Sequence, residues 1–380
     1  MEIRTAEEAP GRYRRELWLD SETQVAHLFV LDYVMRIGSA QVRMSGIGDV
    51  YTERAHRMKG YMRVLYEDTV AYMTREGYDV SMLFGIPNFY TKWGYAVCMP
   101  ECSLTIKTRD AELAGELARP IAARPIAAGD MPAVLELYNH RNATRTCSIV
   151  RSLEGFPEFT KGSWYGTPTA PLVWTDETGR LLGYAAIDKA DEEVKVTELE
   201  AWDEGLFPTM LYAIVEQAVA KRCETITIYA PSDGAFASYV QRYGGKWAIS
   251  YNRHGGAMMR ILNQLRLFEK LAPEFSRRLA ALGLATATGR VCLVTDLGVV
   301  ALDIASGAVR VSANGLLCRE EVAIPTVRLP QELLTQWLVG YRSVADGLNS
   351  PGVEADAEAI PLLNALFPKH DATMWRADHF

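Results

Sequence analysis

Residues 46–95 read GIGDVYTERAHRMKGYMRVLYEDTVAYMTREGYDVSMLFGIPNFYTKWGY, and the hydrophobic period changes twice within them. Just upstream, VAHLFVLDYVMRIG (25–38) and QVRMSGIGDVY (41–51) alternate or run apolar on either side of Gly38-Ser39. Two antiparallel strands joined by a tight turn follow from that pattern. After TERAHRMKG, Met62, Leu65, Tyr66, Thr69, Val70 and Met73 share one helical face, while Arg63, Glu67, Asp68, Thr74 and Arg75 share the other. The spacing predicts a helix from about Gly60 to Gly77. DVSMLFG then reads as a buried strand and PNFYTKWGYA as an aromatic turn.

The glycine at the strand-to-helix junction carries the chemistry. It lets backbone N–H groups converge there, and a helix N-terminus adds roughly half a positive charge, which together favour an anion. Arg54, His56, Arg57 and Lys59 add positive potential. A pyrophosphate suits such a turn; a solvated basic loop capped by glycine is the plainer reading of the turn taken alone.

Outward from this stretch the chain divides into three segments, 1–108, 109–263 and 264–380. RDAELAGELARPIAARP marks the first boundary as a short helix and linker. The second segment repeats the outline of the first: PLVWTDETGRLLGYAAI as a strand pair, VKVTELEAW as a strand, a helix at about 206–222, ETITIYA as a strand, then SYVQRYGGKW. It lacks the basic turn, because Asp203-Glu204-Gly205 puts acidic side chains where a phosphate would sit. In the third segment, the amphipathic NQLRLFEKLAPEFSRRLAALG leads into short strands VCLVTD, VVALDI and AVRVSA. The fold class is α+β.

Composition sets the outer bounds. With 380 residues, 49% hydrophobic, the chain has material for two or three cores. A net charge of −7 argues against a nucleic-acid-binding role and favours a small cationic partner. No stretch reaches the ~18 uninterrupted apolar residues of a membrane helix, and no signal peptide is evident, so a cytoplasmic protein is expected. Cys98, Cys102, Cys147, Cys223, Cys292 and Cys318 form no CxxC pair, and the histidines show no metal-binding spacing, so metal-free chemistry is expected.

Taken together, strand, basic turn, helix and aromatic turn resemble the GNAT superfamily of acetyl-CoA-dependent N-acyltransferases. Its R/Q-x-x-G-x-G/A motif reads here Arg57-Met58-Lys59-Gly60-Tyr61-Met62. Residues 46–95 look most like the Eis-type (enhanced intracellular survival) branch, and the ending LFPKHDATMWRADHF is similar to that branch as well. The resemblance implies an active GNAT domain, a second GNAT domain without a pyrophosphate loop, and a C-terminal domain like sterol carrier proteins. It implies that acetyl-CoA is held by Val50, Tyr51, Thr52 and Arg57, by Met58, Lys59, Gly60, Tyr61, Met62 and Arg63, and at the pantetheine arm by Ile86 and Pro87. It assigns the general acid to Tyr90, with Tyr95 as fallback, and the general base to the α-carboxylate of Phe380. His379 is expected to serve packing and His56 the cationic rim. Asp32, Asp49 and Glu53 are expected near the cleft, where they would attract a cationic amine without taking part in catalysis. The acceptor implied is a primary amine of an aminoglycoside, polyamine or lysine-like compound, and the assembly a homo-oligomer, ring-like and hexameric in that branch.

Two departures stand out. About 16 residues precede Leu17, where the family has a strand and two helices before its first hairpin. Met58 also occupies a loop position that is often basic. Three readings therefore stay open: acetyl transfer, an acyl-CoA or amine-binding module without turnover, and a different acyl or aminoacyl transfer.

Overall fold

A computed structural model of the chain describes residues 1–156, 158–164, 166–313 and 324–380; Cys318 lies outside the described residues. The expected hairpin is present as β3 (Gln24–Ile37) and β4 (Ala40–Thr52). At its turn Gly38 takes φ 58°, and a Cβ there would fall 2.1 Å from Glu274 Oε1, so conformation and space both require glycine. Glu274 belongs to the helix Gln264–Ala281 and accepts hydrogen bonds from the Ser39 N–H at 3.0 Å and hydroxyl at 2.7 Å.

Two more strands lie before this hairpin, β1 (Glu2–Ala9) and β2 (Arg12–Trp18). Their outward face alternates charges, with Arg14 paired to Glu16 at 2.8 Å, which is why hydrophobic patterning gives no sign of them. After β4 come α1 (Tyr61–Arg75), β5 (Val80–Gly85) and β6 (Ala96–Val97). The helix buries Leu65, Tyr66 and Met73 against Leu28, Val30, Ile47 and Leu83 of the sheet.

The chain folds as two compact units. One comprises Met1–Met99, Asn252–Ala372 and Phe380; the other comprises Pro100–Tyr251 and Thr373–His379. The first unit holds a seven-stranded sheet in the order β1-β2-β3-β4-β5, then the strand Gly256–Ile261, then β6. It also holds a five-stranded sheet that contains the expected strands Gly289–Thr295, Gly298–Ala305 and Ala308–Ser312. The second unit has a seven-stranded sheet around the parallel pair Val194–Ala201 and Thr225–Ile228, covered by the helix Phe207–Ala220. Thus Gly256–Ile261 hydrogen-bonds in the first sheet and Glu101–Lys107 in the second. Period and composition locate these short strands but carry no information about which sheet receives them. Among the described residues, no helix is long and apolar enough to cross a membrane, and no group of three or more His, Cys, Asp or Glu is placed to hold a metal.

Burial alone would raise the Glu274 carboxyl, but hydrogen bonds from Arg277, Ser39 and Arg278 outweigh it and hold the pKa at about 2. A depressed folded-state pKa stabilises above the unfolded value near 4.5 and is lost as the pH falls toward 2. Glu274→Gln is therefore expected to remove about 2–3 kcal/mol of stability at neutral pH and to flatten the decline between pH 4.5 and 2. Denaturant unfolding across that range checks it; an unaltered pH profile would contradict the assignment.

Candidate active site

The turn between β4 and α1 begins with a short 3₁₀ segment, Arg54–His56. Arg57 folds back, donating from Nε to the Thr52 carbonyl at 3.1 Å with its guanidinium 5.7 Å from the Tyr51 ring. Met58 takes φ 64° with its side chain fully in solvent, and Lys59 is exposed. Gly60 takes φ 82° at the N-cap, where a Cβ would meet nothing within 4 Å. Glycine is therefore required by conformation, not by space. The first helical hydrogen bond runs from the Val64 N–H to the Gly60 carbonyl at 3.2 Å, which leaves the amides of Tyr61, Met62 and Arg63 without intrahelical acceptors. Tyr61 and Met62 turn their side chains partly onto the core, while Arg63 stays exposed. Backbone amides, the helix dipole and the exposed Lys59 and Arg63 therefore surround one anion-sized position.

Beside this turn the sheet opens. β4 and β5 pair in parallel from Met44–Val80 to Ile47–Leu83 and no further, although β4 continues to Thr52 and β5 to Gly85. Just past the last pair, β4 carries a bulge: its register with β3 shifts between His27–Tyr51 and Phe29–Gly48, and Asp49 takes φ 46°. Val50, Tyr51 and Thr52 therefore lie on the free side of the opening. Ile86 and Pro87, both exposed, continue from β5 on its other side. Asp49 lies at the opening, its carboxylate 3.6 Å from His27 Nε2. Asp32 differs from expectation: Arg43 holds it at 2.7 Å, so its charge is already paired.

Phe380 packs on one face of this sheet. Its ring stacks on Tyr33 with centroids 5.4 Å apart and meets the edge of Phe84 at 5.5 Å. A Cβ on Gly46 would fall 2.9 Å from that ring, and one on Gly48 would fall 3.7 Å from the carboxyl carbon. Alternate glycines along β4 thus clear a seat that any side chain would fill. Tyr90 packs on the opposite face, the one covered by α1, with its ring 5.7 Å from that of Tyr66 and 2.6 Å from where a Gly85 Cβ would be. Burial, and then the neighbouring Tyr95, push the Tyr90 phenol up to about 12, so it keeps its proton at any physiological pH. Tyr95 is fully buried and donates its hydroxyl to Ser81 Oγ at 2.7 Å, a structural role that removes it as the alternative donor. His379 is equally unsuited to act as a base. Burial, and then Arg376, pull its pKa down to about 3, and its Nε2 lies 3.2 Å from the Met374 carbonyl.

The seat of the terminus is the part that sequence reading misses. Gly46 and Gly48 two apart in an apolar strand are the available signal, while Tyr33 and Phe84 give none. In the second unit, Val194–Ala201 likewise pairs with Thr225–Ile228 only as far as Val196–Ile228, and its register with the strand Leu181–Asp188 shifts at the same point. There, however, the Asp203 carboxylate accepts from the Gly205 N–H at 3.0 Å, so the turn binds its own side chain in place of an external anion.

Residues 4–98 match the family model described as an acetyltransferase (GNAT) domain. No curated protein matches this sequence. Three solved structures share the fold. One, from Enterococcus faecalis, is described as a conserved protein of unknown function and probable N-acyltransferase; it is 15% identical with a TM-score of 0.74, over 98% of this chain and 90% of its own. A GCN5-related N-acetyltransferase from Kribbella flavida is 16% identical with a TM-score of 0.70, over 97% and 88%. Eis1 from Mycobacterium abscessus is 14% identical with a TM-score of 0.65, over 97% and 90%. The chain thus carries a GNAT acetyltransferase domain spanning β1 to β6, and domains of this type use acetyl-CoA as cosubstrate.

If the basic turn binds pyrophosphate, reversing charge with Arg57→Glu and Lys59→Glu should weaken coenzyme A binding by roughly tenfold or more at low salt and reduce its salt dependence. Titration calorimetry at several ionic strengths checks this. Unchanged affinity would make the turn a solvated loop.

Proposed function

We propose that the protein is an acetyl-CoA-dependent N-acetyltransferase of Eis type, acting on a primary amine of a small cationic acceptor. The observation that carries this reading is the seating of the Phe380 terminus over Gly46 and Gly48, where β4 and β5 part. On this reading acetyl-CoA places its pyrophosphate at Met58–Arg63 and its pantetheine arm between Val50–Thr52 and Ile86–Pro87. The Phe380 carboxylate takes a proton from the acceptor ammonium, and the freed amine attacks the thioester carbonyl. As the tetrahedral intermediate collapses, the carbon–sulfur bond breaks and Tyr90 gives its proton to the departing thiolate. The raised phenol pKa suits that role, since Tyr90 stays protonated until the thiolate forms.

The exposed carboxylate of Asp49 and the net charge of −7 support a cationic acceptor, of the aminoglycoside, polyamine or lysine-like classes. The repeated opening in the second unit supports a second, coenzyme-free GNAT-like domain, with the sheet built from residues 289–355 as the sterol-carrier-like part. A homo-oligomer, hexameric by resemblance, and a cytoplasmic location belong to the same reading.

Acetyl-CoA-dependent thiol release across aminoglycosides, polyamines and basic peptides tests it, with Tyr90→Phe alongside. Release with one acceptor class, with kcat lowered about 10²-fold or more in the variant and KM for acetyl-CoA little changed, is the expected result. Release that ignores the substitution would remove Tyr90 from the mechanism. Gly46→Ala, which sets a methyl group against the Phe380 ring, should cut kcat at least about tenfold and leave coenzyme A affinity within about twofold. Wild-type turnover in that variant would count against the terminal base.

A further inference from the structure

The second unit contains a buried charge cluster that the proposed chemistry does not use. Arg151, Glu198 and Asp378 have side chains only 1%, 1% and 2% exposed. Arg151 donates from Nε and Nη2 to the two oxygens of Asp378 at 2.8 and 2.9 Å, and from Nη1 and Nη2 to those of Glu198 at 2.6 and 2.7 Å. Tyr138 donates its hydroxyl to Asp378 at 3.1 Å, and Tyr184 donates to Glu198 at 2.6 Å. The guanidinium carbon lies 3.6 Å from the Tyr138 ring centroid.

Burying three charges is a poor way to gain stability, because desolvation consumes most of what the pairing returns, and apolar side chains would hold the segment as well. What a two-oxygen clamp supplies, and an apolar contact does not, is direction and register. Asp378 stands two residues before the end of the chain. The rest of the tail is held by directional bonds too: the Thr373 N–H to the Thr146 carbonyl at 2.9 Å, Trp375 Nε1 to Asn142 Oδ1 at 2.9 Å, and Lys161 to the His379 carbonyl. With Asp378 fixed, two residues reach at most about 7 Å; with Trp375 as the last anchor, five residues reach about 17 Å. A reacting group must be held far more closely than the longer leash allows.

We propose that Arg151 is a positioning residue: by clamping Asp378 it sets the register of the last two residues, and so holds the Phe380 carboxylate over Gly48. This rests on the reading of that carboxylate as the base. Arg151 itself touches neither substrate nor reacting atoms.

The test uses the full chain with Asp378→Asn, which weakens the clamp, and Asp378→Glu, which keeps the charge but lengthens the arm by one carbon. Each is assayed for kcat, for KM of acetyl-CoA, for thermal midpoint and for the rate at which carboxypeptidase releases Phe380. A chain ending at His379 is the reference. The expected result is a kcat at least tenfold lower in both variants, KM within twofold, and release of Phe380 at least tenfold faster in Asp378→Asn. In Asp378→Glu, kcat should fall further than its thermal midpoint accounts for. A purely structural cluster predicts the reverse, with activity following stability in both. If the chain ending at His379 is inactive while both variants keep wild-type kcat and a protected terminus, the positioning role is overturned and the terminal base stands. If the chain ending at His379 turns over like the wild type, the base assignment fails and the positioning role fails with it. Should Asp378→Asn not fold, Asp378→Glu and the shortened chain decide the matter in the same way.

Discussion

Hydrogen bonding between β4 and β5 ends at Ile47 and Leu83 although both strands run on. A parallel pair that separates inside a sheet exposes backbone groups which elsewhere would be satisfied. The structure manages this with the bulge at Asp49, which re-aims β4 at that point, and with helix α1, which starts from a left-handed glycine a few residues later. Everything argued for the site depends on the opening. The basic turn lies at the end of one strand, Ile86 and Pro87 follow the other, and the two aromatic groups of interest, Tyr90 and Phe380, pack on its opposite faces.

The two units use the same strand geometry for different ends. Each has a parallel pair that parts early and a register shift beside the last bonded residue. In the first, the following turn keeps its amides available and surrounds them with Arg57, Lys59 and Arg63. In the second, Asp203 occupies the equivalent amide itself. A few side chains separate an anion-binding turn from a closed one, with no change in the course of the backbone.

Much of this was legible in the sequence because it depends on local periodicity. The β3–β4 hairpin, α1, β5 and the helix of the second unit follow from apolar spacing, and the left-handed Gly60 from its place between strand and helix. What was not legible depends on partners distant in the chain. The β1–β2 hairpin draws its cohesion from alternating charges that resemble a solvated segment. Strand Gly256–Ile261 carries no mark of the sheet it joins. Gly46 and Gly48 make sense only once Phe380 is known to lie on them, and Asp378 looks like an ordinary polar residue of a tail until Arg151 is found beneath it. Among the candidate residues, those fixed by motif order fell around the opening, whereas Asp32, chosen for its charge alone, proved to be occupied by Arg43.

The strand between β5 and β6 is supplied by residues 256–261, made long after its neighbours. During synthesis the ribosome therefore releases β1 to β5 with one edge of β5 bare, and that edge must wait while residues 100–251 emerge. Those intervening residues form nearly all of a unit of their own and can fold first, as contiguous domains tend to do. The first unit is begun earliest and finished last. A bare apolar edge held open through that interval is a site for wrong pairing between nascent chains. Slow elongation or crowded polysomes would thus be expected to lower the yield of folded protein more than the stability of the finished molecule suggests.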